Sequence, residues 1–319
     1  MHYSIIIPVY NRPDEIGELL ESLTMQTYKD FEVIIVEDGS EITCKSITDL
    51  YADSLNIRYY YKENSGQGFS RNYGFERANG DYLVVFDSDC IIPSHYFEHV
   101  TKQLNLTKAD CWGGPDRALS SFTPVQKAIN YSMTSLLTTG GIRGGTKKSE
   151  GFHPRSFNMG ISRGVFKQTG GYKITRMGED IEFSIRIIKY GFKSVLIHDA
   201  YVYHKRRTGL REFYSQLHFF GRARINISRY YPDELNLIHF FPVLFFIGYL
   251  TMLPLFFLAA KAASVLFIGY LIYTLLLFAH SFQTEKSLYI SALSVAAAYI
   301  QFTAYGLGFL SELLSDHSV

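Results

Sequence analysis

Short, mainly apolar runs at residues 4–9, 31–36, 57–61 and 82–86 alternate with stretches in which apolar side chains recur every three or four positions. Such runs, unbroken at 82–86, predict strands buried on both faces, as in a parallel sheet, and the intervening stretches 15–26, 42–55 and 69–79 predict helices. In the first of these, Ile16, Leu19, Leu20 and Leu23 share one face. Strand and helix alternating at this spacing predict an α/β fold, a mostly parallel sheet flanked by helices. Beyond residue 89 the pattern loosens. Helices are expected at 93–106, 123–138 and 180–190, strands at 109–114, 157–162, 194–197 and 200–203, and a glycine-rich basic loop at 140–145.

From about residue 237 the pattern changes again. Three apolar stretches, 237–258, 262–282 and 288–310, are each long enough to cross a hydrocarbon core, which takes roughly 20 residues. Pro242 and Pro254 are expected to kink the first. A buried helical hairpin in a soluble domain is the competing reading, and it fits poorly with so few charges. The expected organisation is a domain over 1–231, with a basic amphipathic segment from about 204, followed by a membrane domain of about three transmembrane helices over 232–319.

Charge sharpens this division. The 319 residues carry a net charge of +1, which gives no reason to expect a nucleic-acid partner. Of 31 Lys and Arg residues, only Lys261 and Lys286 lie beyond Tyr231. Lys205, Arg206, Arg207, Arg211, Arg222, Arg224 and Arg229 precede the first span, and the positive-inside rule places that flank, with the N-terminal domain, in the cytoplasm. Such a flank is suited to anionic membrane lipid or to a phosphate-bearing substrate. Cys44, Cys90 and Cys111 show no metal-type spacing and suit a reducing compartment. Met1-His2-Tyr3-Ser4 runs straight into a strand without the features of a signal peptide.

Candidate chemistry gathers at the strand ends. Asp87-Ser88-Asp89 closes the run Tyr82-Leu83-Val84-Val85-Phe86. Ligands of open α/β sheets bind beyond the carboxyl ends of the strands, and two carboxylates spaced i, i+2 there can hold a hard divalent cation on a diphosphate. Three further features share that edge: Pro8-Val9-Tyr10-Asn11-Arg12, Glu37-Asp38-Gly39-Ser40, and Gly66-Gln67-Gly68 with Arg71 and Asn72 one turn on. Gly178-Glu179-Asp180 opens a helix far downstream. Taken singly, these are turn glycines, surface charges and acids at a helix N-terminus. Taken in order, they supply candidates for base, ribose, phosphate and proton-transfer contacts.

This ordered set resembles glycosyltransferase family 2 and its nucleotide-sugar-binding fold, called GT-A, in membrane-anchored bacterial-type members. The resemblance covers residues 3–225 and rests on I-I-I-P-V-Y-N-R, V-E-D-G-S, G-x-G-x-x-x-R-N-Y-G at 66–74, D-S-D and G-E-D-I-E-F-S-I-R-I at 178–187. Glu37 departs from the aspartate frequent there. The resemblance implies a hexosyl transfer with inversion from a nucleotide-diphospho-sugar, expected to be UDP-linked, to a lipid-linked or growing surface-glycan acceptor. Pro8, Tyr10 and Asn11 would line the nucleotide pocket with Asp38 on the base. Arg71 would lie near the diphosphate, Asp87 and Ser88 near the ribose or sugar, and Asp89 would ligate Mg²⁺ or Mn²⁺. Asp180 would be the general base, oriented by Glu179. The segments Asn158-Met159-Gly160 and Gly170-Gly171-Tyr172, with Gly178, would form the acceptor side. The implied location is the bacterial inner (plasma) membrane.

Several readings stay open at this level. His204 is either a further metal ligand or diphosphate contact, or a structural histidine. Arg206 and Arg207 could clamp phosphate. Trp112 either stacks on the acceptor sugar or belongs to the core. Gln216-Leu217-His218-Phe219-Phe220-Gly221-Arg222 lacks the Arg-Trp of the Q-x-x-R-W motif of processive synthases. The alternatives for activity are a polyprenyl-phosphate glycosyltransferase, a nucleotidyltransferase and a non-catalytic sugar-nucleotide-binding subunit.

Overall fold

The computed structural model describes residues 1–119, 121–139 and 152–315. The loop expected at 140–145 lies outside them. In chain order the elements are β1 (Tyr3–Val9), α1 (Pro13–Thr24), β2 (Phe31–Asp38), α2 (Lys45–Asp49), β3 (Ile57–Lys62), α3 (Gln67–Arg77), β4 (Tyr82–Phe86), β5 (Cys90–Ile91), α4 (Tyr96–Thr107), β6 (Cys111–Gly113) and β7 (Asp116–Arg117). There follow α5 (Pro124–Thr134), α6 (Leu136–Thr139), β8 (Asn158–Ser162), α7 (Arg163–Thr169), α8 (Glu179–Lys189), β9 (Ser194–Leu196), β10 (Val202–His204), α9 (Leu210–Tyr230), α10 (Phe241–Leu258), α11 (Ala260–Glu285) and α12 (Leu288–Leu313).

The chain divides into two compact units. One comprises Met1–Leu119 with Gly145–Lys205, the other Ser120–Gly144 with Arg206–Val319. The first is built on a seven-stranded sheet in the order β3-β2-β1-β4-β8-β6-β9. β1 runs parallel to β2 and β4, and β2 to β3, so four carboxyl ends share one edge. β8 pairs antiparallel with β4 and β6. The apolar runs are explained by burial on both faces. Ile5 and Ile7 join Leu19, Leu23, Phe97 and Trp112 on one side, while Ile6 joins Phe75, Val85, Ile161 and Phe183 on the other.

A second, three-stranded sheet, β5-β10-β7, extends the edge where the candidate chemistry lies. It sets His204 directly opposite Cys90, the residue after the acidic triplet. The helix expected over 42–55 shrinks to α2, which buries only Thr48 and leaves Ile42 and Leu50 exposed. Beyond it the chain continues in turns, with Cys44, Ile47, Tyr51 and Leu55 still packed on the core.

In the second unit, α10, α11 and α12 are long and apolar enough to cross a membrane. The same unit takes in α5, within Ser120–Gly144, and α9, which follows Arg206. The reason is packing: Ala128, Ile129 and Met133 of α5 and Phe213 and Leu217 of α9 form one cluster with Ala297 and Ala304 of α12. Close approach of α9 and α12 requires glycine, since a Cβ on Gly308 would lie 2.0 Å from the His218 carbonyl oxygen. Arg222 and Arg229, expected at a lipid or phosphate surface, are instead ion-paired to the buried Glu312 of α12 at 2.9 and 3.0 Å.

Candidate active site

β1 and β2 end in turns that hold each other. Asn11 adopts φ +52°, which asparagine tolerates, and its amide oxygen accepts from the Glu41 and Ile42 amides at 2.8 and 3.2 Å. Its own N–H donates to Ser40 Oγ at 2.8 Å. Pro8 is half-buried and Tyr10 exposed beside it, presenting an open apolar surface at the sheet edge. Glu37 is fully buried and serves the turn, accepting from Ser40 Oγ, the Cys44 amide and Tyr59 Oη.

Asp38 is turned inward. Its carboxylate accepts from Lys62 Nζ and from the Ser65 and Gly66 amides at 2.9 Å, so it fixes the loop after β3 and does not present itself to a base. Burial alone would raise its pKa, but Lys62 and these donors outweigh burial and hold it below the ordinary range. The glycines of this loop permit close approach: a Cβ on Gly68 would come within 2.5 Å of the Ile174 carbonyl oxygen.

Arg71 was expected near the diphosphate and is instead fully buried. Its Nη2 donates to Asp87 Oδ1 at 2.9 Å and its Nη1 to Glu179 Oε1 at 3.1 Å. Gln67, one turn earlier on α3, donates to the same Glu179 oxygen. One guanidinium thus joins the acid after β4 to the acid pair opening α8. Burial and the neighbouring Asp180 push Glu179 above the usual carboxylate range, with Arg71 opposing them. Gly178, at φ +97°, caps the helix that carries the pair. Asp180 accepts from its own neighbour's amide, Ile181 N, at 2.8 Å, and Arg155 approaches its other oxygen at 3.6 Å.

Asp89 is nearly buried, and His204 Nε2 lies 3.1 Å from its Oδ1. Strand pairing brings His204 there, and stacking on Phe157 orients the ring. The ligating atoms of Asp89, Cys90 and His204 all lie within 4.8 Å of one another. Burial pushes the Cys90 thiol well up, and a soft sulfur is a poor match for a hard ion such as Mg²⁺ or Mn²⁺. The remaining carboxylate oxygen and imidazole nitrogen are a donor set that fits Mn²⁺ or Mg²⁺. Ser88 is buried, its hydroxyl donating to Glu15 Oε2 at 3.4 Å.

Other expected contacts are not brought together here. Trp112 is wholly buried, its indole N–H donating to Tyr96 Oη at 3.2 Å, so it offers no face to an acceptor sugar. Asn158 is equally buried, bonding the Ala200 carbonyl oxygen and Tyr96 Oη at 2.8 and 2.5 Å. Both are core residues that fasten β6 and β8. Arg206 belongs to the second unit, where its guanidinium bonds Asn130 Oδ1 at 3.0–3.1 Å, and Arg207 follows it there. Sequence reasoning missed Gln67, whose i, i+4 spacing to Arg71 was the available signal. It also missed Arg155, which no local pattern ties to Asp180.

The family model described as Glycosyl transferase family 2 matches residues 4–170. An uncharacterized glycosyltransferase of Rickettsia felis is 42% identical over 86 residues, 27% of this chain and 14% of the relative. Glycosyltransferase GlyA of Streptococcus pneumoniae is 35% identical over 112 residues, 34% of this chain and 16% of the relative. The chain therefore matches only about a sixth of these curated relatives' length. Among solved structures, a mannosyltransferase from Pyrobaculum calidifontis, in complex with GDP-Man and Mn²⁺, superposes with a TM-score of 0.70 at 14% identity, covering 99% of this chain and 88% of that one. Staphylococcus aureus TarS 1–349 in complex with UDP-GlcNAc gives 0.53 at 18% identity, with 95% and 90% covered. The likeness is one of fold.

Proposed function

The chain belongs to glycosyl transferase family 2, and from that premise we propose that it moves a sugar from a nucleotide-diphospho-sugar to the hydroxyl of a lipid-linked or growing glycan acceptor, with inversion. The observation that carries this reading is the buried Arg71 bridge, which joins the strand-end acid Asp87 to Glu179 of the acid pair opening α8. Both solved relatives were bound to nucleotide-sugars, one guanosine- and one uridine-linked, and we take a UDP-sugar as the donor here.

A sugar hydroxyl is a weak nucleophile at neutral pH, so a carboxylate must take its proton during attack. Asp180 is the more exposed acid of the pair and is the base in this reading. Glu179, held by Arg71 and Gln67, positions it. Attack opposite the leaving group inverts the anomeric centre without a covalent enzyme intermediate. Asp89 and His204 would hold a divalent cation, Mn²⁺ or Mg²⁺, which stabilises negative charge on the departing diphosphate. Tyr10 and Pro8 would pack on the nucleoside, and Asp87 would face the ribose or sugar. The three apolar helices would anchor the chain in a bacterial inner membrane, with the catalytic unit cytoplasmic by the positive-inside rule.

Arg155 beside Asp180 supports a second reading, in which a polyprenyl phosphate is the nucleophile, because a guanidinium suits phosphate. Phosphate needs no strong base. The full-length protein is assayed with a panel of nucleotide-sugars, membrane lipid extract and Mn²⁺, following nucleoside diphosphate release. Asp180→Asn should lower turnover by about 10²–10⁴-fold on a hydroxyl acceptor. Near-normal turnover selects the phosphate acceptor, and no release from any donor refutes both readings.

A further inference from the structure

Arg12 lies between β1 and α1 and received no role above. Its Nη1 donates to Glu15 Oε2 at 2.9 Å and, more loosely, to Asp89 Oδ2 at 3.4 Å. The two oxygens of Asp89 thus meet different partners, His204 on Oδ1 and Arg12 on Oδ2. Glu15 holds the guanidinium and also accepts from Ser88 Oγ, which ties α1 to the acidic triplet. Arg12 is 35% exposed at its side chain, and its Nε and Nη2 make no hydrogen bond among the described residues. A guanidinium has five donors, and most of these remain available for a ligand.

We propose that Arg12 is a binding residue of the donor site: a built-in cation that would compete with a divalent ion for Asp89 and, once displaced, would pair with the donor diphosphate. The inference rests on the donor-site reading above and adds to it an account of how the site is charge-balanced before loading. With no divalent ion bound, Arg12 neutralises a nearly buried carboxylate that would otherwise face Asp87 across one residue. Were Asp89 to hold an ion, the guanidinium, still held by Glu15, would be available for bidentate pairing with phosphate.

The test uses the full chain in detergent micelles, with Mn²⁺ binding followed by the electron paramagnetic resonance signal of free Mn²⁺. UDP and GDP binding at saturating Mn²⁺ is measured in parallel by calorimetry. Arg12→Gln should bind Mn²⁺ alone about fivefold more tightly, because a competing positive charge is gone. The same variant should bind the preferred nucleotide about tenfold more weakly. Arg12→Lys, which keeps the charge, should match the wild type for Mn²⁺ but lose part of the nucleotide affinity. Asp89→Asn separates the two levels of inference. If it abolishes Mn²⁺ binding while Arg12→Gln leaves Mn²⁺ affinity unchanged or weaker, the Arg12 proposal alone is overturned. If the wild type binds neither Mn²⁺ nor nucleotide, the donor-site reading falls, and the proposal with it.

Discussion

Replacing Arg71 by Met keeps the aliphatic stem and removes the charge that holds Asp87 and Glu179. Glu179 is buried, and breaking a buried pair by removing one partner costs about 3–5 kcal/mol. The Asp87 side chain is 33% exposed, so its share is screened to about 0–1 kcal/mol. The expected loss is therefore about 3–5 kcal/mol, nearly all of it from Glu179. The protein carries its own reporter: the single tryptophan, Trp112, is wholly buried in the same unit, so its emission in a urea titration of the solubilised full chain follows that unit. The pH dependence has a definite sign. Burial already raises Glu179 above the ordinary carboxylate range, and without Arg71 it rises further. A carboxyl with a raised folded-state pKa contributes stability below the unfolded value, lost as pH climbs through the folded one. The Arg71→Met deficit should therefore be larger at pH 8 than near pH 4.5, and adding Glu179→Gln should recover most of it. Wild-type stability of Arg71→Met at pH 8, with only donor affinity reduced, would refute this account and return Arg71 to the diphosphate.

Two further variants check the packing. Trp112→Phe removes the bond to Tyr96 and part of the core contact with Tyr82 and should cost about 1–3 kcal/mol by circular dichroism melting. Its acceptor KM should stay within about twofold, and a larger KM change at unaltered stability would restore an acceptor role. Gly308→Ala sets a methyl 2.0 Å from the His218 carbonyl oxygen and should destabilise the solubilised chain by about 1–3 kcal/mol, seen as a lower melting temperature. Gly269→Ala, with nothing within 4 Å, should be neutral or slightly stabilising; equal losses for the two would sink the close-approach argument.

Periodicity carried much of the architecture. The runs at 4–9, 31–36 and 82–86 were legible as two-faced strands because each residue's burial repeats locally, and the parallel order then put their carboxyl ends on one edge. The acidic triplet, the Glu179-Asp180 helix start and the apolar spans follow from neighbours in the chain. The partner of α9 does not: α9 reads as a basic juxtamembrane segment, and its apolar stripe and Arg222 and Arg229 meet α12, about ninety residues on. Glu312 looks like an ordinary polar terminus until that helix packs.

The same division holds within the site. Order along the chain placed Asp87 and Asp89 after a strand and Glu179 and Asp180 at a helix start, because a strand end and a helix start are local facts. Which way each side chain turns was decided by residues far away in the chain. Arg71 meets Glu179 across 108 positions and is therefore buried rather than offered to phosphate. Asp38 spends its oxygens on a loop 27–28 residues later, and Trp112 and Asn158 are locked to Tyr96 in the core. His204 comes to Asp89 only because β10 pairs with β5. Hydrophobic spacing is written along the chain, whereas the pairing of buried charges is settled by desolvation, which exists only once distant segments have closed over them.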